Sequence, residues 1–208
     1  MNKTILYDIL PDDPVIFEIG AHHGEDTSHF RYMFPRASIH AFEPDERCLR
    51  IIKNLHLAIH LYEGVMSDVY GSVEFFPSYN KYPEHEWDGS GSILQPTKHK
   101  EVFTQVAFDT PYKVPSVTLH TYMLQRNVSM IDFIWADVQG AEEKVIIGGI
   151  EEFRTKVRYF YTEYCQTELY LGCPNRERIL SLLPNYSVVF DTGGDVVGDM
   201  LLKNEEIP

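Results

Sequence analysis

Val15-Ile16-Phe17-Glu18-Ile19-Gly20-Ala21-His22-His23-Gly24 is the stretch on which the fold turns. Its opening V-I-F-E is a short, β-prone apolar run that ends at Gly20, and from Thr27 to Met33 the apolar spacing becomes helical, with Asp26 placed to cap the helix. Strand, glycine turn and helix are expected in that order. The unit returns at Ile39 to Phe42, a strand stopped by Glu43-Pro44, with helical spacing from Asp45 to Lys53 that puts Leu49, Ile51 and Ile52 on one period. Strands alternating with helices require right-handed crossovers and a mostly parallel sheet covered on both faces, a doubly wound α/β fold whose ligands lie beyond the carboxyl ends of the strands.

Further strands are expected at Ile59 to Val65, Gly71 to Phe76, Val102 to Phe108, Val114 to Val117, Met130 to Ala136, Val157 to Tyr164, Tyr186 to Phe190 and Met200 to Lys203. Helices are expected at Leu119 to Gln125, Ala141 to Ile150 and Arg176 to Leu183. Pro77 to Gly91 has neither period and reads as a long loop, the kind that carries function. Tyr79, Tyr82 and Trp87 offer flat faces there. Lys81, Glu84, His85, Glu86 and Asp88 alternate with them, and Gly89 and Gly91 allow hinge movement, so a lid over an acceptor is expected within an insertion around residues 77–117 of a single domain spanning 1–208. Rings packed on the sheet as a satellite core are the alternative.

With 208 residues the chain suits one domain. Eighteen Lys and Arg against 31 Asp and Glu give a net charge of −13, which repels a phosphate backbone, so no nucleic-acid partner is expected. Cys48, Cys165 and Cys173 lack paired metal-ligand spacing, there is no leader pattern, and no apolar run approaches the ~20 residues of a membrane span. A cytoplasmic protein is the expectation.

Four expected strands end in polar residues, at Glu18, Glu43, Ser67-Asp68 and Asp137, which should converge on one crevice. Glu43 stands 19 residues beyond Gly24, the spacing at which a carboxylate receives the hydroxyls of an adenosine ribose. That reports a nucleoside cofactor and leaves both NAD and S-adenosylmethionine open. An NAD-dependent oxidoreductase fits less well, because the turn lacks a full G-x-G-x-x-G and no Tyr has a Lys four residues on. A non-catalytic cofactor-binding module is a further alternative. Asp137 ends an apolar strand, where a carboxylate is costly unless it faces the crevice. For a general base the order of expectation is Asp137, then Glu163, then His22 or His23. The adjacent His22 and His23 do not share a helix face and no metal site is expected from them; a magnesium ion on Asp137 and other carboxylates is less excluded.

Together these segments resemble the FkbM-type methyltransferase family. The likeness lies in V-I-F-E-I-G-A-H-H-G (Val15 to Gly24), A-F-E-P (Ala41 to Pro44), V-M-S-D-V-Y-G (Val65 to Gly71), G-S-I-L (Gly91 to Leu94, with Ser92 toward the acceptor), V-P-S-V-T-L (Val114 to Leu119) and I-D-F-I-W-A-D-V-Q-G-A-E (Ile131 to Glu142). The resemblance implies a class I methyltransferase fold with seven strands, one antiparallel, S-adenosylmethionine as cofactor, and O-methylation of a sugar, glycan or other small-metabolite hydroxyl. It also implies that Glu18, Gly20, Ala21, His22, His23 and Gly24 surround the methionine end of the cofactor, Glu43 and Pro44 the ribose, Ser67 and Asp68 the adenine, and Asp137 and Val138 the methyl group. His22 stands where Asn is usual, and Trp135 where Lys is common.

Overall fold

In a computed structural model, which describes every residue except Met1, Pro83, His85, Glu86 and Pro208, the buried runs of the sequence become the centre of one large sheet. The strands are β1 (Val15–Ile19), β2 (Ser38–Glu43), β3 (His60–Glu63), β4 (Val65–Met66), β5 (Gly71–Phe75), β6 (Ser78–Asn80), β7 (Val106–Phe108), β8 (Tyr112–Val117), β9 (Ile131–Ala136), β10 (Val157–Cys165), β11 (Tyr186–Asp191) and β12 (Val197–Asn204). The helices are α1 (Leu6–Ile9), α2 (Glu25–Met33), α3 (Glu46–Asn54), α4 (His99–Val102), α5 (Leu119–Arg126), α6 (Glu142–Ile147), α7 (Ile150–Thr155) and α8 (Arg176–Leu182).

The sheet runs β3-β2-β1-β9-β10-β12-β11. Its pairings are parallel except that β12 is antiparallel to both β10 and β11. β9 is buried along its whole length, as a central strand covered on both faces must be. One face packs Phe17, Ile134, Phe160 and Leu202 against Val145, Phe153 and Ile179 of the helices; the other packs Ile16, Phe133 and Leu201 against Leu6, Phe30 and Met33. Beside this body β4, β8 and β5 form a three-stranded sheet, and β6 pairs with β7. No helix among the described residues is long and apolar enough to cross a membrane.

Several expected elements differ. The strand expected from Ile59 to Val65 divides at Gly64, β3 joining the large sheet and β4 pairing with β8 in the small one; a Cβ at Gly64 would stand 2.4 Å from the Pro115 carbonyl oxygen, so this crossing needs glycine. The strand expected from Val102 begins only at Val106, after the short α4. Pro77 to Gly91 is not wholly a loop, since β6 lies inside it. The helix expected from Ala141 to Ile150 breaks at Gly148-Gly149, where a Cβ on Gly149 would strike Leu119. Gly24, at φ +82°, caps α2 in place of Asp26. The helical turns at Lys3–Ile9, which bury Leu6, were not evident from periodicity because they are too short to show one.

Candidate active site

β1, β2 and β9 end side by side, and their turns interlock. Gly20 and Ala21 donate their backbone N–H groups to the Phe42 carbonyl at 3.0 Å each, and Asp137 N–H donates to the Ile19 carbonyl at 3.0 Å. Beyond these ends opens a cavity of about 380 Å³. Glu18, Gly20, Ala21, His22, Glu43, Pro44, Asp137 and Val138 line it. So do Trp87 and Ser92, on the acceptor side of the expectation. His23, Gly24, Ser67, Asp68, Glu163, Tyr79 and Tyr82 do not line it.

Glu43 is buried at the end of β2, with one carboxylate oxygen accepting from His22 N–H and the other from Asp45 N–H, both at 2.8 Å. Each oxygen keeps a lone pair for a further donor, as two vicinal hydroxyls require. Burial pushes its pKa up to about 8 against those two bonds, with Asp45 and Asp88 adding to the rise. Glu18, also driven to about 8 by burial, accepts from the Thr27 hydroxyl and so ties the end of β1 to α2. Ser67 is fully buried, bonded to the Ser116 hydroxyl at 2.8 Å, and Asp68 pairs with Lys144 at 3.2 Å; the cavity wall near them is made by Gly64, Val65 and Met66.

Asp137 opens onto the cavity, and the Gln139 side-chain amide donates to one of its oxygens at 2.7 Å. Its pKa is raised, first by the surrounding protein and then by Asp199 and Asp26. Glu163 is raised well above the carboxylate range by burial and by Asp137, Glu142 and Asp199. Glu142, fully buried and held by weak bonds from Val138 and Gly140 N–H at the start of α6, rises to about 8. Two partners escaped sequence reading. Asp199 faces Glu163 across the β10–β12 ladder, a pairing between distant segments, and Gln139 adopts φ +53°. Gln139 also receives the Ser92 hydroxyl on its carbonyl at 2.8 Å and stands 3.1 Å from the Tyr170 hydroxyl. Its place inside D-V-Q-G was the available signal.

In the 77–91 segment, Trp87 is half exposed at the cavity and donates its indole N–H to the Ser90 hydroxyl at 3.0 Å. Tyr79 instead faces a separate groove with Arg47, Arg50 and Tyr112, and Tyr82 is exposed away from both. Asp88 reaches back to His22 and His23. Of the polar residues expected to intersperse the rings, His85 and Glu86 lie outside the described residues.

Residues 18–190 match the family model described as the methyltransferase FkbM domain. The chain belongs to the FkbM methyltransferase family. Over its whole length this FkbM-family methyltransferase is 40% identical to the 2-O-methyltransferase NoeI of Sinorhizobium fredii, covering 86% of that protein. The fold is similar to the FkbM methyltransferase of Methylobacillus flagellatus, at a TM-score of 0.55 and 14% identity over 92% of this chain, which spans 44% of that protein's length. It is also similar to the N-terminal domain of EvdMO1 solved in the presence of SAH and D-fucose, at a TM-score of 0.51 and 12% identity, covering 96% of this chain and 78% of that one. The mostly parallel seven-stranded sheet is a class I methyltransferase fold.

Proposed function

We propose that the chain is an S-adenosylmethionine-dependent O-methyltransferase acting on a hydroxyl of a sugar, glycan or other small metabolite. The observation that carries this reading is the opening of the Glu43 carboxylate, the Gly20 turn and Asp137 into one cavity beyond the sheet. The cradle suits the cofactor chemically: paired carboxylate oxygens for the ribose, backbone without a Cβ at Gly20, and an acid at the far end. S-adenosylmethionine supplies an activated methyl group when bound. Likeness to the 2-O-methyltransferase NoeI over the full chain favours a 2-hydroxyl as the first acceptor position to test, and a net charge of −13 disfavours a polyanionic acceptor.

Asp137 takes the acceptor's proton in this reading. Loss of hydration first, and Asp199 and Asp26 after it, raise its proton affinity above that of an ordinary Asp, and Gln139 holds one oxygen so that the other is free for the acceptor. Glu163 does not line the cavity, and burial together with Asp137 keeps it protonated behind the wall, so it takes no proton from the acceptor. Trp87 and Ser92 border the acceptor. Much of the rate comes from aligning the hydroxyl with the methyl group. Calorimetry with S-adenosylmethionine, S-adenosylhomocysteine and NAD, followed by labelled-methyl transfer to a sugar panel, tests the proposal. Binding of NAD alone would overturn it.

A further inference from the structure

Two neighbouring histidines ordinarily point apart. Here His22 adopts a left-handed backbone, φ +50°, and the rings of His22 and His23 lie face to face, 3.8 Å between centroids and 18° between planes. Such a backbone conformation is strained for a residue with a Cβ and persists where the surroundings require it. Its result is convergence. Nε2 of His22 lies 2.6 Å from one oxygen of Asp88, Nε2 of His23 lies 3.1 Å from the other, and the Cys48 sulfur stands 3.8 Å from that second oxygen. On the opposite ring edges, both Nδ1 atoms lie 3.7 Å from the Glu25 carboxylate.

We propose that His22, His23, Cys48 and Asp88 form a binding site for a zinc-like divalent transition-metal ion. One ligand atom from each of the four lies within 4.8 Å of every other. Four-coordinate zinc with N, S and O ligands needs separations of about 3.3–3.8 Å, reached by small rotations of the Asp88 and imidazole side chains. Two imidazoles, a thiolate and a carboxylate form a borderline-to-soft donor set, which suits zinc or cobalt and not magnesium or calcium. The surroundings favour a cation: the carboxyl groups of Glu43, Asp45 and Asp88 line the same cavity as Cys48. An ion there would displace the thiol proton to solvent. A side-chain shift of Glu25, whose carboxylate lies 3.7 Å from both Nδ1 atoms, would let it accept Nδ1–H from the histidines and leave the Nε2 lone pairs for the metal.

The ligands come from three segments: the turn after β1, α3, and the segment that leads to Gly89 and Gly91. His22, Cys48 and Asp88 line the cavity, so a bound ion would staple that segment to the cofactor turn within the cavity wall. Four protein ligands make it a closed, structural site. The inference does not rest on the proposed acceptor, because metal binding is read without methyl transfer.

The test uses the full chain, free of any affinity tag and stripped with a chelator. Calorimetry with zinc chloride is expected to give one equivalent of tight binding, and cobalt chloride a thiolate-to-cobalt charge-transfer absorption in the near ultraviolet. Cys48→Ser should abolish that absorption, whereas a Cys165→Ser, Cys173→Ser double variant should retain it. Asp88→Asn and His23→Ala, which attack the site from other segments, should remove the stoichiometric site, and Glu25→Gln should weaken it about 10- to 100-fold. Circular dichroism checks each fold, and the cobalt spectrum of the unmodified protein decides the matter if a variant fails. No stoichiometric binding, a cobalt complex without thiolate absorption, or binding that survives Cys48→Ser and His23→Ala overturns the proposal.

Discussion

A Cβ on Gly20 would stand 2.0 Å from the carbonyl oxygen of Asp137, so the turns after β1 and β9 touch backbone to backbone. Gly20 also has φ +89°, where L side chains are strained. Gly20→Ala therefore meets a barrier that no side-chain rotation relieves, and it is expected to cost about 2–5 kcal/mol of stability and most cofactor affinity. Gly172→Ala is the control: φ is +74° but nothing lies within 4 Å, so only the strain of about 1–2 kcal/mol applies. Chemical denaturation of both variants tests the difference. Equal losses would mean that the contact between the turns is unimportant.

The parts of this architecture legible in sequence are those enforced by local chemistry. β1, β2 and β9 are buried on both faces, so each had to be a continuous apolar run, and the residues ending them, Glu18, Glu43 and Asp137, line one cavity. What escaped depends on distant contacts. The pairing of β4 with β8 takes the chain out of the large sheet after Gly64, and the pairing of β6 with β7 sets which way Tyr79 points. Alternation in β6 buries Ser78 and turns Tyr79 outward, a consequence of pleating that cannot be read until the segment is known to be a strand. The contact of Asp88 with two histidines more than sixty residues earlier has no local signature.

Glu43 couples cofactor binding to pH. Its pKa of about 8 leaves it mainly protonated in the free protein at neutral pH, whereas ribose hydroxyls donating to both oxygens favour the carboxylate. Binding should release up to one proton. Affinity for S-adenosylhomocysteine is expected to rise up to roughly tenfold per pH unit below 8 and level off above it, and Glu43→Ala should weaken binding by about 1.5–3 kcal/mol, roughly 10- to 150-fold, at the plateau. Calorimetry in two buffers of different ionisation enthalpy measures the proton directly. An affinity independent of pH from 6 to 9 would detach Glu43 from the ribose.

The same burial makes the ligand-free protein sensitive to alkali. Glu18, Glu43 and Glu142 all have folded-state pKa values near 8, above the 4.5 of an exposed Glu. The folded protein holds these protons where the unfolded chain releases them, so their contribution is fully present below about pH 4.5 and is lost as pH rises through 8. Asp88, Glu152 and Asp191, whose values are lowered, oppose this only on the acid side. The melting temperature without cofactor should fall by several degrees between pH 5.5 and roughly 8.5, and Glu18→Gln should flatten the fall. A melting temperature that climbs over this range would contradict the buried-acid account.

Asp137 and Glu163 are separable by kinetics. Asp137→Asn is expected to lower turnover by about 10²–10⁴-fold with circular dichroism unchanged, the loss associated with a general base. Glu163 forms no part of the cavity wall, and Asp137 helps to raise its pKa. Because burial and Asp137 keep Glu163 protonated, Glu163→Gln should keep most of the maximal rate and leave the acid limb of the pH–rate profile in place. If Glu163→Gln instead abolished turnover at every pH while Asp137→Asn stayed active, the two roles would be reversed.

The aromatic residues of the 77–91 segment should no longer behave as a set. Trp87 lies at the cavity with its indole N–H fixed on Ser90, presenting a face to whatever occupies the acceptor side. Sugars pack their apolar faces on such rings, and the half-exposed indole has surface left to cover. Tyr82 lines neither the cavity nor the groove that holds Tyr79. Trp87→Ala is therefore expected to raise the acceptor KM or lower kcat while affinity for S-adenosylhomocysteine stays within about twofold, and Tyr82→Ala to leave all three near their original values. Because Trp87 sits beside Asp88, the Trp87 variant also needs Ser90→Ala as a companion, which releases the indole N–H while keeping the ring. If the ring itself recognises the acceptor, Ser90→Ala has the smaller effect on KM. Should Ser90→Ala match Trp87→Ala, orientation of the indole matters as much as its face; should cofactor affinity collapse with unchanged acceptor kinetics, Trp87 belongs to the cofactor wall and the acceptor lies elsewhere.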